Sequence, residues 1–227
     1  MKKANIDPRW ILLSILAAII IILKLLSFIS PSHEDVEKDN KSEQTSEVVK
    51  ATPEELNKIN DEETSIYQGK EDAPNEILFV FDYACPYCKS WEVTVFPQIS
   101  GWIEEGTVKY RTQSMVFLSD ISSKLADFDQ NLKRNYPDLY PEINAKIMID
   151  GHNEVDDWAT NSYLEKLIKD YELNKNKMLA TPKVDSISIT RQYTKKFGID
   201  AVPTVFVNGE KVKDPFDTNE IKSLMNN

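Results

Sequence analysis

The sequence predicts an α/β domain that a helical insertion interrupts and that a membrane-directed segment precedes. Three observations lead to this fold class. A buried-type strand is followed by a Cys-x-x-Cys motif that opens a helix, a mostly helical stretch follows at about 119–182, and an apolar run lies at 10–29. The chain is therefore predicted to divide into a membrane segment (1–29), a tether (30–63) and a folded domain (64–227).

The charge and the cysteine count exclude several classes of protein. Among the 227 residues, 27 are Lys or Arg and 37 are Asp or Glu, so the formal net charge is -10. A general nucleic-acid binder needs clustered positive charge to replace phosphate counterions, and this class is excluded. The chain has 2 cysteines and 2 histidines. A four-ligand zinc site would need all of them, and at most one disulfide can form.

The apolar run at residues 10–29 has the length that an α-helix needs to cross about 30 Å of hydrocarbon. Lys2, Lys3 and Arg9 precede it, so the positive-inside rule predicts a cytoplasmic N-terminus and an extracytoplasmic location for the remaining chain. A cleavable signal peptide is the alternative, because part of the run has the size of a signal h-region. No small-x-small pattern follows directly, and we therefore expect a retained single-pass anchor in the cell membrane.

Residues 30–63 are predicted to form a disordered acidic tether. They include 11 acidic and 4 basic residues and no aromatic residue. Such a segment buries too little apolar surface to offset the entropy lost on ordering the chain. The folded domain is therefore expected at 64–227, a length that is ample for one core.

The folded domain is predicted to begin with a β-α-β unit. Ile77–Phe81 is a continuous apolar run, which is typical of a strand buried on both faces. Pro86 suits the first helical position, where its missing N–H costs nothing, and apolar residues then recur at helical spacing up to Gly106. Pro97 lies inside this helical pattern and is expected to kink it. Val108–Ser114 is predicted to be the second strand.

Helices are predicted to fill most of the chain between the second strand and residue 197. Within the insertion at about 119–182, the large apolar residues from Trp158 to Tyr171 have the spacing of one amphipathic helix. Another helix is predicted from Val184 to Phe197, where Gly198 ends it.

The C-terminal part is predicted to form a hairpin and a closing helix. Val202–Val207 is the expected strand, Asn208-Gly209 is a tight-turn signal, and Glu210–Lys213 is the expected return strand. Asp217 precedes Glu220 by three residues, a spacing that predicts a capping box at the start of the last helix.

The succession of strand, Cys-x-x-Cys, helix, strand and a later X-Pro before a hairpin resembles the thioredoxin superfamily. The chain is most similar to the DsbA-type thiol-disulfide oxidoreductases, in which a helical subdomain interrupts the thioredoxin fold. Among these it most resembles the membrane-tethered BdbD-like proteins of Gram-positive bacteria. The residues that carry this resemblance are Asp82-Tyr83-Ala84-Cys85-Pro86-Tyr87-Cys88, Phe96-Pro97-Gln98 and Val202-Pro203-Thr204.

Cys85 and Cys88 are the predicted catalytic residues. Cys85 stands at a helix N-terminus, where unpaired N–H groups and the positive end of the helix dipole favour the thiolate. Cys88 lies one turn into the helix and is expected to be shielded. In the oxidised state a substrate thiolate attacks the Cys85 sulfur, Cys88 departs, and the second substrate thiol resolves the mixed disulfide. The redox-active disulfide would therefore need no further cofactor.

The resemblance also implies roles for residues around the cysteines. It implies that the Val202–Pro203 peptide is cis and that Pro203 packs beside the disulfide. It also implies that the Val202 backbone pairs with the substrate. The alternative is that Pro203 is an ordinary proline at the start of a strand. Pro86 and Tyr87 are expected to tune the redox pair. The chain departs from the family at two positions. Tyr87 replaces a His that helps to hold the thiolate, and Phe79 replaces an acidic residue that moves the proton of the buried thiol.

These features predict an exported enzyme that introduces disulfide bonds into secreted or cell-surface proteins. Its implied partners are unfolded exported proteins with thiols, a quinone-linked membrane oxidase, and the membrane itself through residues 10–29. An exported reductase or disulfide isomerase is the first alternative, because it uses the same chemistry. A metal-binding module that uses both cysteines with His33 and His152 is the second, although each histidine is more typical of exposed surface.

Overall fold

A four-stranded mixed sheet forms the centre of the fold in the computed structural model, which describes residues 66–151 and 158–226 together with Glu55. Its strands are β1 (Asn75–Phe81), β2 (Val108–Ser114), β3 (Thr204–Val207) and β4 (Glu210–Lys211). The order in the sheet is β2-β1-β3-β4, with β1 parallel to β2 and antiparallel to β3, and β3 antiparallel to β4. No described strand pairs with the outer edge of β4. At the opposite edge of the sheet, Gln68 forms an isolated β-bridge with Tyr110 of β2.

Eight helices surround the sheet within the described part of the chain. They are α1 (Pro86–Thr94), α2 (Phe96–Glu105), α3 (Asp120–Asn135), α4 (Tyr140–Asp150), α5 (Asn161–Asp170), α6 (Lys175–Met178), α7 (Ser186–Phe197) and α8 (Thr218–Ser223). Helices α3 to α6 lie in the predicted insertion. None of the eight is both long enough and apolar enough to cross a membrane. The predicted anchor, His33, His152 and the tether apart from Glu55 lie outside the described residues.

Strand β1 is buried along its whole length, as its apolar run predicted. Because side chains alternate across a strand, Ile77 and Phe79 pack into the cluster that contains the active-site helix and the insertion. Leu78 and Val80 face the opposite cluster, which contains residues of α7. The β-α-β unit is therefore confirmed, and β1 is the central strand that carries the chain to Cys85.

The predicted kinked helix is two helices, and this corrects the expectation for Pro97. Helix α1 ends at Thr94, Val95 is its C-cap, and α2 begins at Phe96. Pro97 has no N–H to donate one turn back, so a continuous α1 could not be hydrogen-bonded at this point. A second helix starts instead at Phe96, and the Gln98 amide donates to the Val95 carbonyl oxygen at 3.0 Å.

Side-chain caps fix the beginnings of two predicted helices, which are shorter than expected. Thr160 caps α5 by accepting a hydrogen bond from the Tyr163 amide at 3.2 Å. Trp158 consequently lies before α5, and Tyr171 is the C-cap residue at its other end. Asp185 caps α7 in the same way. Gly198 then ends α7 in a left-handed conformation with φ of 60°, as predicted.

The C-terminal hairpin is present but is shorter than predicted. Asn208 and Gly209 both have positive φ, 51° and 83°, which is the requirement of the tight turn that the sequence indicated. The return strand β4 includes only Glu210–Lys211. The strand β3 begins at Thr204 rather than at Val202.

The expected capping box at the last helix is only half formed. The Asp217 carboxylate accepts from the amides of Asn219 and Glu220, as the spacing predicted. Glu220 does not return a bond to Asp217. Its carboxylate accepts from the amides of Lys213 and Asp214, both at 3.1 Å, and so holds the segment that follows the hairpin.

A buried carboxylate joins the insertion to the sheet. Asp129 on α3 accepts hydrogen bonds from Tyr83 at 2.7 Å, from Tyr140 at 2.9 Å and from Ser114 at 3.0 Å. Its carboxylate also pairs with Lys133 at 3.0 Å, where the exposed fractions of the two side chains are 0% and 3%. These partners come from the active-site turn, strand β2, α3 and α4, so one side chain holds four parts of the domain together.

Candidate active site

The two cysteines lie at the start of α1, directly beyond the buried strand β1. Cys85 is the N-cap residue and Pro86 occupies the first turn, as the sequence predicted. Cys88 is completely buried and Cys85 is 5% exposed, so the outer sulfur alone has an opening to solvent. Both are free thiols in this structure.

The surroundings of Cys85 lower its pKa to about 7. The largest cause is the hydrogen bond from the Cys88 thiol. The backbone N–H groups of Cys88 and Tyr87 add to this effect, whereas burial and the nearby charge of Asp82 oppose it. A stabilised thiolate at a helix N-terminus is the arrangement that makes a cysteine nucleophilic near neutral pH and a good leaving group.

Cys88 has the opposite electrostatic character. Burial raises the pKa of its thiol well above the ordinary range, and the hydrogen bond to Cys85 raises it further. The outer cysteine is therefore the thiolate and the inner one the thiol in the reduced pair. This asymmetry is the one expected from their positions in the helix.

The Val202–Pro203 segment lies against the outer sulfur. The peptide bond between the two residues is cis, as the resemblance implied. Cys85 Sγ lies 3.5 Å from the Val202 carbonyl oxygen, to which its S–H donates. Thr204 Oγ1 donates to the Ala201 carbonyl at 2.8 Å, which closes the loop around the proline. The four residues that sequence reasoning assigned to the redox pair and the proline loop are thus brought together.

Tyr87 and Phe79, the two residues that depart from the family, lie in different environments. The Tyr87 side chain is 68% exposed, and this position reaches the Cys85 sulfur through its backbone N–H. Phe79 is completely buried, and its ring stacks on Trp91 with the centroids 3.9 Å apart. Phe79 has no proton to exchange, so the inner thiol lacks an acidic neighbour on β1 at this position.

Asp82 holds the turn that delivers Cys85. Its buried carboxylate accepts from the amides of Ala84 and Phe117, each at 2.8 Å, and from the Ser122 hydroxyl at 2.7 Å. The active-site turn is thereby tied to the loop after β2 and to the first turn of α3. Sequence reasoning placed Asp82 in the motif but gave it no role, because its partners are distant in the chain.

Glu92 is a functional candidate that sequence reasoning missed. It lies on α1 and is 8% exposed, and burial raises its pKa to about 7. A charged residue in an amphipathic helix is normally exposed to solvent, so the identity of Glu92 alone did not indicate that it is buried. Its spacing of four residues from Cys88 was the available signal, since such pairs share one face of a helix.

Tyr110 on β2 lies beside the same face of α1. Its ring stacks on Trp91 with the centroids 6.4 Å apart, and its buried hydroxyl has no hydrogen-bond partner among the described residues. Burial raises the pKa of Tyr110, and negative charge on Glu92 and on Cys88 raises it further. Tyr110 therefore lies close enough to interact electrostatically with both groups.

Acidic, histidine and cysteine side chains are not clustered as metal ligands in residues 66–151 and 158–226: no group of three or more could hold an ion there. His33 and His152 lie outside these ranges. The prediction of a site without metal therefore stays a prediction.

Comparisons with known proteins agree with this geometry. A family model described as thioredoxin (Thioredoxin_4) matches residues 61–227. Disulfide bond formation protein D of Bacillus subtilis (strain 168) is 28% identical over 164 residues, which cover 69% of this chain and 73% of that protein.

Solved structures show the same fold. Oxidised BdbD from Bacillus subtilis superposes with a TM-score of 0.57 at 25% identity and covers 69% of this chain and 88% of its own. MdbA, a thiol-disulfide oxidoreductase from Corynebacterium diphtheriae, has a TM-score of 0.56 at 18% identity, with coverage of 72% and 91%. With a thioredoxin-type match over more than half its length and a Cys-x-x-Cys helix beside a cis-proline, the chain belongs to the thioredoxin family, as a DsbA-type, BdbD-like member.

Proposed function

We infer that this chain is a thiol-disulfide oxidoreductase that introduces disulfide bonds into substrate proteins through Cys85 and Cys88. The observation that carries this conclusion is the asymmetry of the pair. The pKa of Cys85, which lies beside the Val202 carbonyl, is lowered by the Cys88 thiol and by backbone N–H groups, whereas burial raises the pKa of Cys88. The relatives named as disulfide bond formation proteins support the same direction of the reaction.

The reaction follows from this asymmetry. A substrate thiolate attacks Cys85 of the oxidised pair, a sulfur–sulfur bond forms to the substrate, and the Cys85–Cys88 bond breaks with its electrons on Cys88. A second substrate thiolate then attacks the substrate sulfur, and Cys85 departs as a thiolate. Because its pKa is lowered to about 7, Cys85 leaves readily, which favours the oxidised substrate and the reduced enzyme. No further cofactor is needed in these steps.

Val202, Pro203 and Tyr87 are proposed to meet the substrate. The Val202 backbone lies beside the reacting sulfur, so a substrate segment that reaches Cys85 comes within hydrogen-bonding range of this loop. The exposed ring of Tyr87 offers an apolar contact next to the redox pair. Pro86 fixes the first turn of the helix between the cysteines.

We propose further that the enzyme acts outside the cytoplasm on unfolded exported proteins and that a quinone-linked membrane oxidase reoxidises it. The apolar run at residues 10–29 and the positive charges before it support this location. The resemblance to membrane-tethered BdbD-like proteins supports the partner.

Trapping of mixed disulfides tests the assigned roles of the cysteines. The Cys88→Ser variant lacks the thiol that clears a mixed disulfide, whereas Cys85 remains a thiolate at neutral pH. It should accumulate covalent adducts with cysteine-containing exported proteins, seen on gels as bands that reductant removes. Cys85→Ser, the matched control, should trap almost none because Cys88 is buried. Adducts on Cys85→Ser but not on Cys88→Ser would reverse the assignment.

The redox potential of the pair against glutathione tests the direction of the reaction. An oxidase should have a potential well above that of thioredoxin, which is about -270 mV. A value near that of thioredoxin would contradict the oxidase and favour the exported reductase.

A further inference from the structure

We propose that Asn208, which Gly209 follows, is a deamidation site, and that the buried side chain of Asn75 protects it until the segment after α8 opens. The two residues form the turn between β3 and β4. Their site is separate from the redox pair, because Asn75 is the first residue of β1 and the cysteines follow its last. At about 3.3 Å per residue, about 20 Å of strand lies between the two places.

An Asn-Gly pair can deamidate without an enzyme. The Gly209 amide nitrogen attacks Cγ of the Asn208 side chain, a succinimide ring forms, and the side-chain nitrogen leaves as ammonia. Water then opens the ring at either carbonyl carbon, which gives aspartate or isoaspartate. Glycine permits this ring closure readily because it has no Cβ to crowd its amide. Solvent supplies the water, and neither an oxidant nor a reductant is consumed.

Hydrogen bonds hold both polar atoms of the Asn208 side chain in the folded chain. Its Oδ1 accepts from the Glu76 amide at 2.9 Å, and its Nδ2 donates to Asn75 Oδ1 at 2.9 Å and to the Leu224 carbonyl at 3.1 Å. A backbone N–H must face an oxygen and a backbone carbonyl must face an N–H, so these partners fix the orientation of the amide. The three bonds restrain the rotation that would bring Cγ to the Gly209 nitrogen.

Asn75 connects this amide to the segment after α8. It is 1% exposed, and its Oδ1 accepts from Asn208 and also from the Asn226 amide at 2.7 Å. Its Nδ2 donates to the carbonyls of Thr107 and Asn226 at 3.1 and 3.2 Å. The Asn75 amide therefore cannot turn over without losing these bonds. We call Asn75, Asn208 and residues 224–226 the asparagine clamp.

The product of deamidation does not fit the asparagine clamp. Aspartate at position 208 places a carboxylate oxygen where Nδ2 now donates, opposite two acceptors, Asn75 Oδ1 and the Leu224 carbonyl. An ionised carboxylate only accepts, so two hydrogen bonds are lost and negative charge faces two oxygen atoms. The modification therefore keeps the segment after α8 open once it has opened.

A cavity beside the turn gives water access to the reacting atoms. Its volume is about 270 Å³, and Asn75, Asn208, Gly209 and Asn226 are among the residues that line it. Opening of the segment also reaches the core, because Leu224 and Met225 pack against the hydrophobic cluster that contains both cysteines. Deamidation should therefore lower the stability of the domain.

Mass spectrometry of the aged protein tests the protection. The full chain in detergent is incubated at neutral pH, folded or unfolded in urea, and the peptide with Asn208 is followed for the mass increase that accompanies conversion of an amide to an acid. The folded wild type should react at least about 10-fold more slowly than the unfolded chain, since the reaction waits for a local opening that breaks buried hydrogen bonds. Equal rates in the two states would overturn the proposal.

Matched variants separate the asparagine clamp from general unfolding. Asn75→Ala should raise the deamidation rate of Asn208 in the folded chain by about 10-fold, because the bonds that hold the amide and residues 224–226 are removed. Asn131 is also buried, at 4% exposure, but it donates to the Met178 and Ala180 carbonyls. Asn131→Ala should therefore leave the rate near that of the wild type. Similar acceleration by both variants would contradict a protective role of Asn75.

Hydrogen exchange tests the effect of the product and does not require Asn75→Ala to fold. Asn208→Asp should increase the exchange rate of the Asn226 amide by about 10-fold or more. Asn208→Gly should increase it less, because glycine accepts the φ of 51° and brings no charge. It should also abolish the mass increase of the peptide. Unchanged protection of Asn226 in Asn208→Asp, or a mass increase that persists in Asn208→Gly, would refute the proposal.

Discussion

The reactivity of Cys85 depends on hydrogen-bond donors that belong to its own helix. The Cys88 thiol is the largest contributor, and the backbone N–H groups of Tyr87 and Cys88 follow. A histidine at position 87 is therefore not the only way to hold a thiolate at this place. Because the Tyr87 side chain is exposed, the backbone N–H groups at the helix N-terminus and the Cys88 thiol stabilise the Cys85 thiolate instead.

Alkylation of the reduced enzyme should report this arrangement. The pKa of Cys85 is lowered to about 7, so its thiolate fraction rises as the pH passes through 7 and is about one tenth at pH 6. The iodoacetamide rate at Cys85 should therefore have its inflection near pH 7, with Cys88 unmodified throughout.

Cys88→Ala provides the control for this measurement. It removes the largest donor to Cys85, so the inflection should move upward, towards the ordinary cysteine range of about 8.5. An inflection that is near 8.5 already in the wild type would contradict the lowered pKa. An unmoved inflection in Cys88→Ala would assign the effect to the backbone donors.

At this scale the sequence predicted the residues whose roles are local. Cys85, Pro86 and Cys88 were found from their spacing, because a helix N-terminus is a local structure. No role was predicted for Glu92 or Asp82, since their burial depends on what packs against them. Tertiary packing is not encoded in the spacing of four or five neighbouring residues.

At the scale of elements, the insertion is fastened to the sheet by a polar contact in the core. Asp129 bonds to Tyr83, which is two residues before Cys85, and also to residues of β2 and α4. Burial lowers the pKa of Lys133, and the charge of Asp129 opposes this shift. The 3.0 Å contact between these two buried side chains therefore opposes the loss of the Lys133 proton.

Removal of one partner from this pair should be severe. Asp129→Ala leaves the Lys133 charge buried without its counter-ion, so the free energy of unfolding should fall by about 3–5 kcal/mol in urea titrations. Glu165→Ala, which removes an exposed partner of Lys175, should cost less than about 1 kcal/mol. Similar losses in the two variants would show that the Asp129 network does not hold the insertion.

Elements with strong periodic or apolar patterns were predicted well, and their boundaries less so. The residue pattern in the sequence predicted strands β1 and β2. The helical spacing of apolar residues predicted helix α7. The division of α1 from α2 was not found, because Pro97 is compatible with both a kink and a new helix start. The hydrogen bond of Gln98 to Val95 decides between them, and that bond is visible only in the folded chain.

At the scale of the whole molecule, we expect the proposed anchor to determine where the enzyme works. If residues 10–29 are retained, the full chain should stay with membranes after carbonate washing. Protease added outside cells from which the wall has been removed should then release a fragment cut within residues 30–63. Immunoblotting of the membrane and soluble fractions provides the measurement. A domain in the medium with a new N-terminus near Ser30 would show cleavage instead.

The two edges of the sheet matter to a protein that works among unfolded chains. Such chains add readily to any open strand, and this is a common beginning of aggregation. Here β4 offers only Glu210–Lys211, which are charged and exposed, and Gln68 already pairs with Tyr110 at the other edge. Among the described residues, a substrate protein therefore finds little free strand backbone beyond β4 or beside Tyr110. We expect a substrate bound through a mixed disulfide to leave without extending the sheet of the enzyme.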